Sequence, residues 1–197
     1  METSAEISFG STGVNIRTTD AASGNRRVPE IVPYQPEWAD RFAEARDELL
    51  EVFAGADARI EHVGSTSVLG LAAKPIIDIC VGLHDLADAE VRVDDMLRHG
   101  YHYVPQYEAQ IPDRRYFRKP AGRPRTHHVH CLRVGGVEWQ RHLCFRDTLR
   151  ERPDLMAEYG ALKTELAGVH AGNRAAYTEA KGPFIQRVLA EAAATDP

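Results

Sequence analysis

The segment that decides the fold reads GSTS at residues 64–67 and then KPIIDICVG at residues 74–82. Its second part is a nearly continuous run of β-branched and other apolar residues, a pattern typical of a strand that is buried on both faces. Asp78 is the single charge inside this run. Before the turn, Ile60 and Val63 predict another short strand. We therefore expect two adjacent strands joined through a polar turn, with one carboxylate inside the buried strand.

Helices and further strands are predicted on both sides of this segment. Apolar residues from Trp38 to Phe53 recur every three or four positions, which indicates one face of an α-helix. A second helix is predicted over residues 86–99. Three more strands are predicted at residues 101–104, 115–119 and 126–134. After residue 136 the periodicity is helical, with an interruption at residues 182–183. This order predicts an α/β (α+β) domain with a mixed β-sheet flanked by helices and a helical C-terminal half.

Composition and charge limit the class of protein. The chain has 197 residues, 43% hydrophobic and 27% charged, which is typical of a globular domain. Residues 1–27 are poor in large apolar groups and predict a flexible tail before one domain over residues 28–195. The net charge of −5 disfavours nucleic acid as a partner, because gripping it requires clustered cations. Without a run of about 18 apolar residues or a signal pattern, we expect a cytoplasmic protein with no membrane partner. The oligomeric state is not predicted.

The turn and the buried carboxylate together indicate a phosphate site. A Gly-Ser turn lets the amides and hydroxyls of residues 64–67 approach a phosphate closely. Asp78 on the adjacent strand can hold a divalent metal that bridges the same phosphates, and Lys74 can neutralise phosphate charge. The alternative is a tight turn with a buried aspartate that is satisfied by local hydrogen bonds.

A histidine-rich strand offers a second group of reactive side chains. In a strand, His128 and His130 project from the same face. Two imidazoles near a carboxylate can ligate a transition metal or act as acid and base. Glu61 would complete such a site if it shares the Asp78 side of the sheet. The alternative is a polar strand edge that binds nothing.

Cations and phenols in the helical half form a third group. Tyr159 and Lys163, like Tyr177 and Lys181, are four residues apart and so share one helix face. If these faces turn toward the sheet, they place phosphate-binding cations over Asp78; the alternative is an ordinary solvated surface. Separately, a basic run in the middle of the chain could face a phosphorylated small molecule. It consists of Arg114, Arg115, Arg118, Lys119, Arg123 and Arg125.

These motifs resemble the GrpB (UPF0157) family. The resemblance rests on YQPEW at residues 34–38, EHVGSTS at residues 61–67, KPIID at residues 74–78 and HHVH at residues 127–130, and it extends over about residues 28–192. It implies a nucleotidyltransferase fold of the polymerase-β type, with a short mixed sheet flanked by helices. In that fold the Gly-Ser turn binds a triphosphate and an Asp-x-Asp pair holds two metals. Asp78 matches the first carboxylate, but Cys80 occupies the second position.

The residues and the resemblance together predict a metal-dependent, nucleotidyltransferase-like enzyme that acts on a small molecule or a nucleotide-like phosphate. The expected cofactors are a nucleoside triphosphate and a divalent metal (Mg²⁺, Mn²⁺ or Zn²⁺) held by Asp78, His128 and His130. Glu61 joins these three as a candidate catalytic residue. The candidate phosphate-binding residues are Gly64, Ser65, Thr66, Ser67, Lys74, Arg141, Lys163, Tyr177 and Lys181. Two alternatives stay open: a non-catalytic nucleotide- or anion-binding regulatory module, and a recruited fold in which Glu61 and the histidines perform acid–base chemistry on another metabolite.

Overall fold

A computed structural model of the protein describes residues 30–195, and within them five strands form one mixed sheet. The strands are β1 (Arg59–Val63), β2 (Ile77–Leu83), β3 (His102–Tyr103), β4 (Arg114–Lys119) and β5 (His127–Arg133). Their order across the sheet is β1-β2-β5-β4-β3. β2 and β5 are parallel, whereas the other neighbouring pairs are antiparallel. The predicted mixed sheet is therefore confirmed, and its central strands are the two that carry the aspartate and the histidines.

Seven α-helices surround the sheet within the described range. They are α1 (Glu37–Val52), α2 (Ala87–Glu90), α3 (Val93–Arg98), α4 (Val137–Glu151), α5 (Pro153–Val169), α6 (Arg174–Ala180) and α7 (Gly182–Thr195). The GSTS segment adds a short 3₁₀ turn at Ser65–Ser67. The predicted interruption at residues 182–183 is confirmed, because α6 ends at Ala180 and α7 begins at Gly182.

The single helix predicted over residues 86–99 is wrong, since the structure has two short helices, α2 and α3. The break lies at Arg92. In a continuous helix the carbonyl of Asp88 would accept from the backbone N–H of Arg92. Instead the Arg92 guanidinium donates to this carbonyl at 2.9 Å, and also to the carbonyl of Val52 at the end of α1. The Arg92 side chain thus provides the hydrogen bond to the Asp88 carbonyl that the backbone of a continuous helix would have provided.

The two faces of the sheet pack differently. On one face, Ile79 and Val129 join the main hydrophobic core with residues of α1 such as Trp38 and Leu49. On the other face, α4 covers part of the sheet through Trp139. Smaller helical contacts, centred on Tyr159 and Phe184, attach the C-terminal helices to the segment after the turn. The helical half therefore stands over the sheet face that carries Asp78 and the histidines.

The predicted flexible tail, residues 1–27, lies outside the described residues. Between residues 30 and 195, no helix combines the length and the apolar character that crossing a membrane requires.

Candidate functional site

Asp78 and His128 form a hydrogen-bonded pair at the centre of the sheet. The parallel register of β2 and β5 places these two residues side by side, and His128 Nδ1 lies 2.9 Å from Asp78 Oδ1. Burial opposes the charge on Asp78, but the hydrogen bond from His128 and the positive groups nearby, including Lys74, outweigh it and hold the pKa of Asp78 well below its usual range. An ionised carboxylate only accepts hydrogen bonds, so the proton of this bond belongs to Nδ1.

The second ring nitrogen of His128 is consequently left with a lone pair when the imidazole is neutral. His128 is only 8% exposed, and its Nε2 is buried without a hydrogen-bond partner among residues 30–195. A carboxylate that fixes the tautomer of an imidazole from behind is the arrangement of a general base. The pair is therefore equipped to take a proton from a group placed over Nε2.

Gly64 brings the turn directly against Asp78. Its φ of +71° is a left-handed conformation that side chains disfavour, and a Cβ at this position would lie 2.7 Å from Asp78 Oδ2. Glycine is required here for both reasons. The second carboxylate oxygen of Asp78 therefore faces the turn, while its first oxygen holds His128.

The three hydroxyls of the turn have different roles. Thr66 Oγ1 donates to the carbonyl of Ile76 at 3.3 Å, and Ser67 Oγ donates to the carbonyl of Gly64 at 2.6 Å. Both side chains are buried. They hold the turn in shape and do not offer a free hydroxyl, which differs from the prediction that the whole turn binds phosphate. Ser65 is the hydroxyl that faces the helical half.

The side chain of Lys163 on α5 contacts Ser65. Its ammonium group donates to Ser65 Oγ at 2.9 Å and to the carbonyl of Ala72 at 2.6 Å, and the residue is only 2% exposed. In the part of the chain that the structure describes, it has no carboxylate within 4.0 Å. Burial and the charge of Lys181 lower the pKa of Lys163 to about 7. A buried ammonium group without a counter-ion is costly, which makes Lys163 a candidate to contact an anion.

Lys74 and Lys181 extend this positive region toward Asp78. Burial, together with the charge of Arg174, lowers the pKa of Lys74 to about 8. Burial likewise lowers the pKa of Lys181, against the opposing attraction of Asp78. Neither lysine is ion-paired within residues 30–195. We name Lys74, Lys163 and Lys181 the turn lysines; the whole chain contains only one other lysine, Lys119.

Both predicted Tyr–Lys pairs are present on the helices. The Lys163 ammonium lies 4.8 Å from the ring centroid of Tyr159, and that of Lys181 lies 4.7 Å from the ring centroid of Tyr177. Both rings are buried. Cation–π attraction of this kind holds an ammonium group in place while leaving its charge available to an anion.

Glu61 and Arg141 are drawn away from this site by ion pairs. Glu61 does share the Asp78 side of the sheet, opposite Cys80, but its carboxylate binds Arg146 of α4 at 2.7 Å. Glu61 therefore neutralises Arg146 and makes no contact with the histidines. Arg141 is exposed and is paired with Glu138 of its own helix at 3.1 Å, so it does not meet the turn.

His130 shares a sheet face with His128 but turns to other partners. Its ring centroid lies 5.1 Å from that of Tyr116 and 5.3 Å from that of His142 on α4. Burial, reinforced by the proximity of His142, holds the pKa of His130 well below its usual range. The ring is thus neutral, and its Nδ1 is buried without a partner in the described chain.

The three-ligand metal site predicted from Asp78, His128 and His130 is not assembled. Across residues 30–195, no three His, Cys, Asp or Glu side chains come together in a group that could hold a metal ion. The reason is that His128 uses Nδ1 on Asp78 while His130 faces Tyr116. The second position of the Asp-x-Asp pattern does not fit two metals either, because Cys80 is fully buried and burial raises the pKa of its thiol, which stays protonated.

Asp78 nevertheless leaves one carboxylate oxygen that can contact a divalent metal ion. Mg²⁺ is commonly bound through one or two carboxylates together with substrate phosphates. About a third of the Asp78 side chain is accessible, at 33%, and its Oδ2 lies at the turn. The donor set therefore fits a metal that is part of the substrate better than a resident metal centre.

Two residues that the sequence did not indicate lie at the site. Arg174, at the first position of α6, acts on the charge of Lys74, and His142 of α4 contacts His130. Arg174 carried one local signal, since a cation at a helix N-terminus is unfavourable for the helix dipole and points to another role. His142 carried none, because a histidine at one position of an amphipathic helix is unremarkable.

The chain is similar in sequence and fold to known proteins. The family model described as GrpB protein matches residues 28–191. The UPF0157 protein YqkA of Bacillus subtilis is 38% identical over 161 residues, which cover 82% of this chain and 46% of that protein. The chain thus spans about half the length of this relative.

Solved structures agree with the predicted fold. The crystal structure of conserved protein GrpB from Enterococcus faecalis has a TM-score of 0.76 at 38% identity and covers 83% of this chain and 96% of that one. The structure of the GLD-2/RNP-8 complex has a TM-score of 0.50 at 12% identity, covering 78% of this chain and 60% of that one, which is a likeness of fold alone. The nucleotidyltransferase-like fold is therefore confirmed.

Proposed function

Because this chain belongs to the GrpB family and has a nucleotidyltransferase-like fold, we propose that it binds a nucleoside triphosphate and transfers the nucleotidyl group to a small molecule. One observation carries the proposal. The buried contact between Lys163 and Ser65 lies at the same turn that touches Asp78, so a lysine without a counter-ion among residues 30–195 adjoins the Asp78–His128 pair.

The turn lysines are the groups that would bind the triphosphate. Ser65 and Lys163 would contact one phosphate, and Lys74 and Lys181 would neutralise the others. An anion bound here favours the charged form of each lysine, so it raises their pKa values again. Any Mg²⁺ that accompanies the phosphates would meet Asp78, the one carboxylate at the turn.

The Asp78–His128 pair would carry the proton transfer. A hydroxyl of the acceptor gives its proton to His128 Nε2, and its oxygen attacks the α-phosphorus. The bond between that phosphorus and the oxygen that bridges to the β-phosphate breaks, and pyrophosphate leaves with the electron pair. Asp78 stabilises the imidazolium that forms, while the turn lysines stabilise the negative charge on pyrophosphate.

Cys80 favours a second candidate, a nucleotide- or anion-binding module without catalysis. A neutral, fully buried thiol stands where the fold's second metal-binding carboxylate is expected. Such a module would use the same turn lysines to bind a ligand and regulate another protein. The two candidates predict the same binding but differ in whether the α-phosphate is transferred.

Labelled nucleotide distinguishes these candidates. The protein is incubated with Mg²⁺, a small-molecule extract, and ATP, CTP, GTP or UTP labelled at either the α- or the γ-phosphate. We expect the α-label to appear in a new small molecule and the γ-label in pyrophosphate. Binding without transfer of either label would support the second candidate. Transfer of the γ-label, or no binding of any of the four triphosphates by calorimetry, would contradict the proposal.

Binding of a triphosphate should weaken as the pH rises above about 7. In the free protein the pKa values of Lys163 and Lys74 are about 7 and about 8, and a bound anion raises both. Below about pH 7 both lysines are charged with or without ligand, so affinity is highest there. Above it, binding must take up protons, and the Kd for Mg·α,β-methylene-ATP should rise about tenfold or more by about pH 9.

Calorimetry in buffers of different ionisation enthalpy checks this linkage. Proton uptake makes the observed enthalpy depend on the buffer, and the dependence should shrink in Lys163→Met. An affinity that is flat or rises between about pH 7 and pH 9 would show that neither lysine contacts the anion.

A further inference from the structure

The basic residues of the β4–β5 region form two sets, which lie on opposite faces of the sheet. Arg115 and Lys119 point to the face opposite the site, where carboxylates neutralise them: Arg115 binds Glu90 at 2.7 Å and Lys119 binds Glu48 at 2.8 Å. Arg118 lies between them in the same strand and so projects to the face of His128. On β4, the cations of one face are therefore ion-paired with carboxylates, whereas Arg118 on the other face is not.

Within residues 30–195, four arginines of this region have no counter-ion, in addition to Arg114, whose guanidinium packs on the ring of Tyr116. We name Arg118, Arg123, Arg125 and Arg174 the arginine group. None of them has a carboxylate within 4.0 Å in the described part of the chain. They lie close together, since burial and the charges of the other three lower the pKa of Arg125. Like charges gathered without carboxylates repel one another, and an anion bound among them would remove this cost.

Unpartnered polar atoms point to the same conclusion. The Nε atoms of Arg118 and Arg125 are buried and make no hydrogen bond within residues 30–195. Buried donors are nearly always paired in folded proteins, so these two donors, on arginines whose charges act on each other, can serve an acceptor that the described part of the chain does not supply. Guanidinium groups are suited to phosphate, which they bind through two parallel hydrogen bonds.

Arg118 and the turn at Ser65 lie on different sides of His128. Across the sheet, the turn adjoins β2 with Asp78, His128 follows on β5, and Arg118 on β4 is directly opposite His128 in the strand register. A phosphate at Arg118 would therefore lie beside the base rather than at Ser65. Molecules held at the two positions would meet over His128 Nε2.

The charge of the whole site also exceeds what one triphosphate needs. The turn lysines and the arginine group are seven cations whose charges act on one another, and Asp78 is the carboxylate that acts on Lys74 and Lys181. A surplus of positive charge remains after a triphosphate is bound. A phosphate monoester, with a charge of about −2, would reduce this surplus.

We infer that Arg118 and Arg125 form a second anion subsite, which binds the phosphate of the acceptor, so that the acceptor is a phosphorylated small molecule. This inference rests on the proposed function, because it assigns the second substrate of the same site. The phosphate of the acceptor stays intact and serves only to hold the molecule. A hydroxyl elsewhere on the acceptor loses its proton to His128 and bonds to the α-phosphorus, and pyrophosphate leaves.

Calorimetry on the full chain tests the subsite. Wild-type protein saturated with Mg·α,β-methylene-ATP is titrated with ribose 5-phosphate and with glucose 6-phosphate, and ribose and glucose serve as neutral probes. We expect the phosphorylated probes to bind at least about tenfold more tightly than the neutral ones. In the variant Arg118→Gln/Arg125→Gln their Kd should rise about tenfold or more, while that of the nucleotide analogue changes by less than about threefold.

Two further variants make the comparison specific. Arg118→Lys/Arg125→Lys keeps the charge but loses the planar fork, and we expect an intermediate Kd for the phosphorylated probes. Arg46→Gln/Arg98→Gln removes two exposed arginines that are paired with Asp47 and Asp95, so it should leave every Kd unchanged. Thermal unfolding confirms that each variant is folded.

Several results would overturn the inference while leaving the proposed function intact. One is an equal loss of nucleotide and phosphorylated-probe affinity in the arginine variant, which would mean a single anion site. Another is the absence of binding by both phosphorylated probes to the nucleotide-loaded protein. A third is tight binding of octauridylate that depends on the same arginines, which would assign the subsite to RNA. If the nucleotide analogue itself does not bind to wild type, the proposed function fails instead.

Discussion

Replacing Asp78 with asparagine should lower the rate of α-label transfer by about 10³- to 10⁴-fold while the protein stays folded and still binds the nucleotide analogue. Asparagine carries no negative charge to keep the proton on His128 Nδ1. The imidazole can then adopt another tautomer or orientation, in which its lone pair does not face the acceptor. The imidazolium formed during transfer also loses its stabilising carboxylate. Without Mg²⁺, triphosphate affinity should rise several-fold, because one negative charge is removed from among the turn lysines.

Matched variants separate this effect from a general loss of charge. Asp113→Asn removes an exposed carboxylate in a loop and should change the transfer rate by less than about twofold. His128→Asn should be as damaging as Asp78→Asn, and the double variant should be no worse than either, because the two residues act as one unit. Retention of more than about a tenth of the wild-type rate in Asp78→Asn would contradict the role of the pair.

Replacing Lys163 with methionine should weaken the binding of Mg·α,β-methylene-ATP by about 100-fold, or about 2.7 kcal/mol. The substitution keeps the length of the side chain but removes the charge that lies against Ser65. A buried, charge-assisted contact to a phosphate contributes an amount of this order. Lys119→Met is the control, since it deletes the chain's one lysine outside the site, which is paired with Glu48; it should leave the Kd within about twofold.

The same variant should change how stability depends on pH. The pKa of Lys163 is about 7 in the folded protein and 10.5 for an unburied lysine, so between these values the unfolded chain binds one more proton. The free energy of unfolding of the wild type should therefore rise with pH over this window relative to Lys163→Met. Denaturant titrations at about pH 7 and pH 10 measure the difference. A difference that does not change with pH, together with unchanged nucleotide affinity, would remove Lys163 from the site.

The main features of the fold could be predicted because they depend on short-range patterns. The run around Asp78 is apolar on both faces of a strand, and the period of the residues from Trp38 onward suits a helix. Hydrophobic burial is set by which residues are apolar and at what spacing, and both are visible in the sequence. The helix over residues 86–99 failed because Arg92 replaced a backbone hydrogen bond with a side-chain one, and no local pattern reports such a substitution.

The candidate site was predicted only in part, for a different reason. Residue type and alternation indicated that Asp78 and His128 could share a sheet face. They did not indicate the strand register that brings Nδ1 to 2.9 Å from the carboxylate. The same limit applies to Glu61, whose sheet face was considered correctly but whose charge is neutralised by Arg146 from a distant helix.

The amino-acid pattern was thus sufficient for the sheet, the long helices and the residue types of the site, because burial and period are local properties of the chain. The pairing of charges required the folded molecule. Coulomb attraction and hydrogen bonds depend on distances of a few ångströms between residues far apart in sequence, such as Ser65 and Lys163. Those distances alone determine which cations are ion-paired with a carboxylate and which are unpaired and available to an anion.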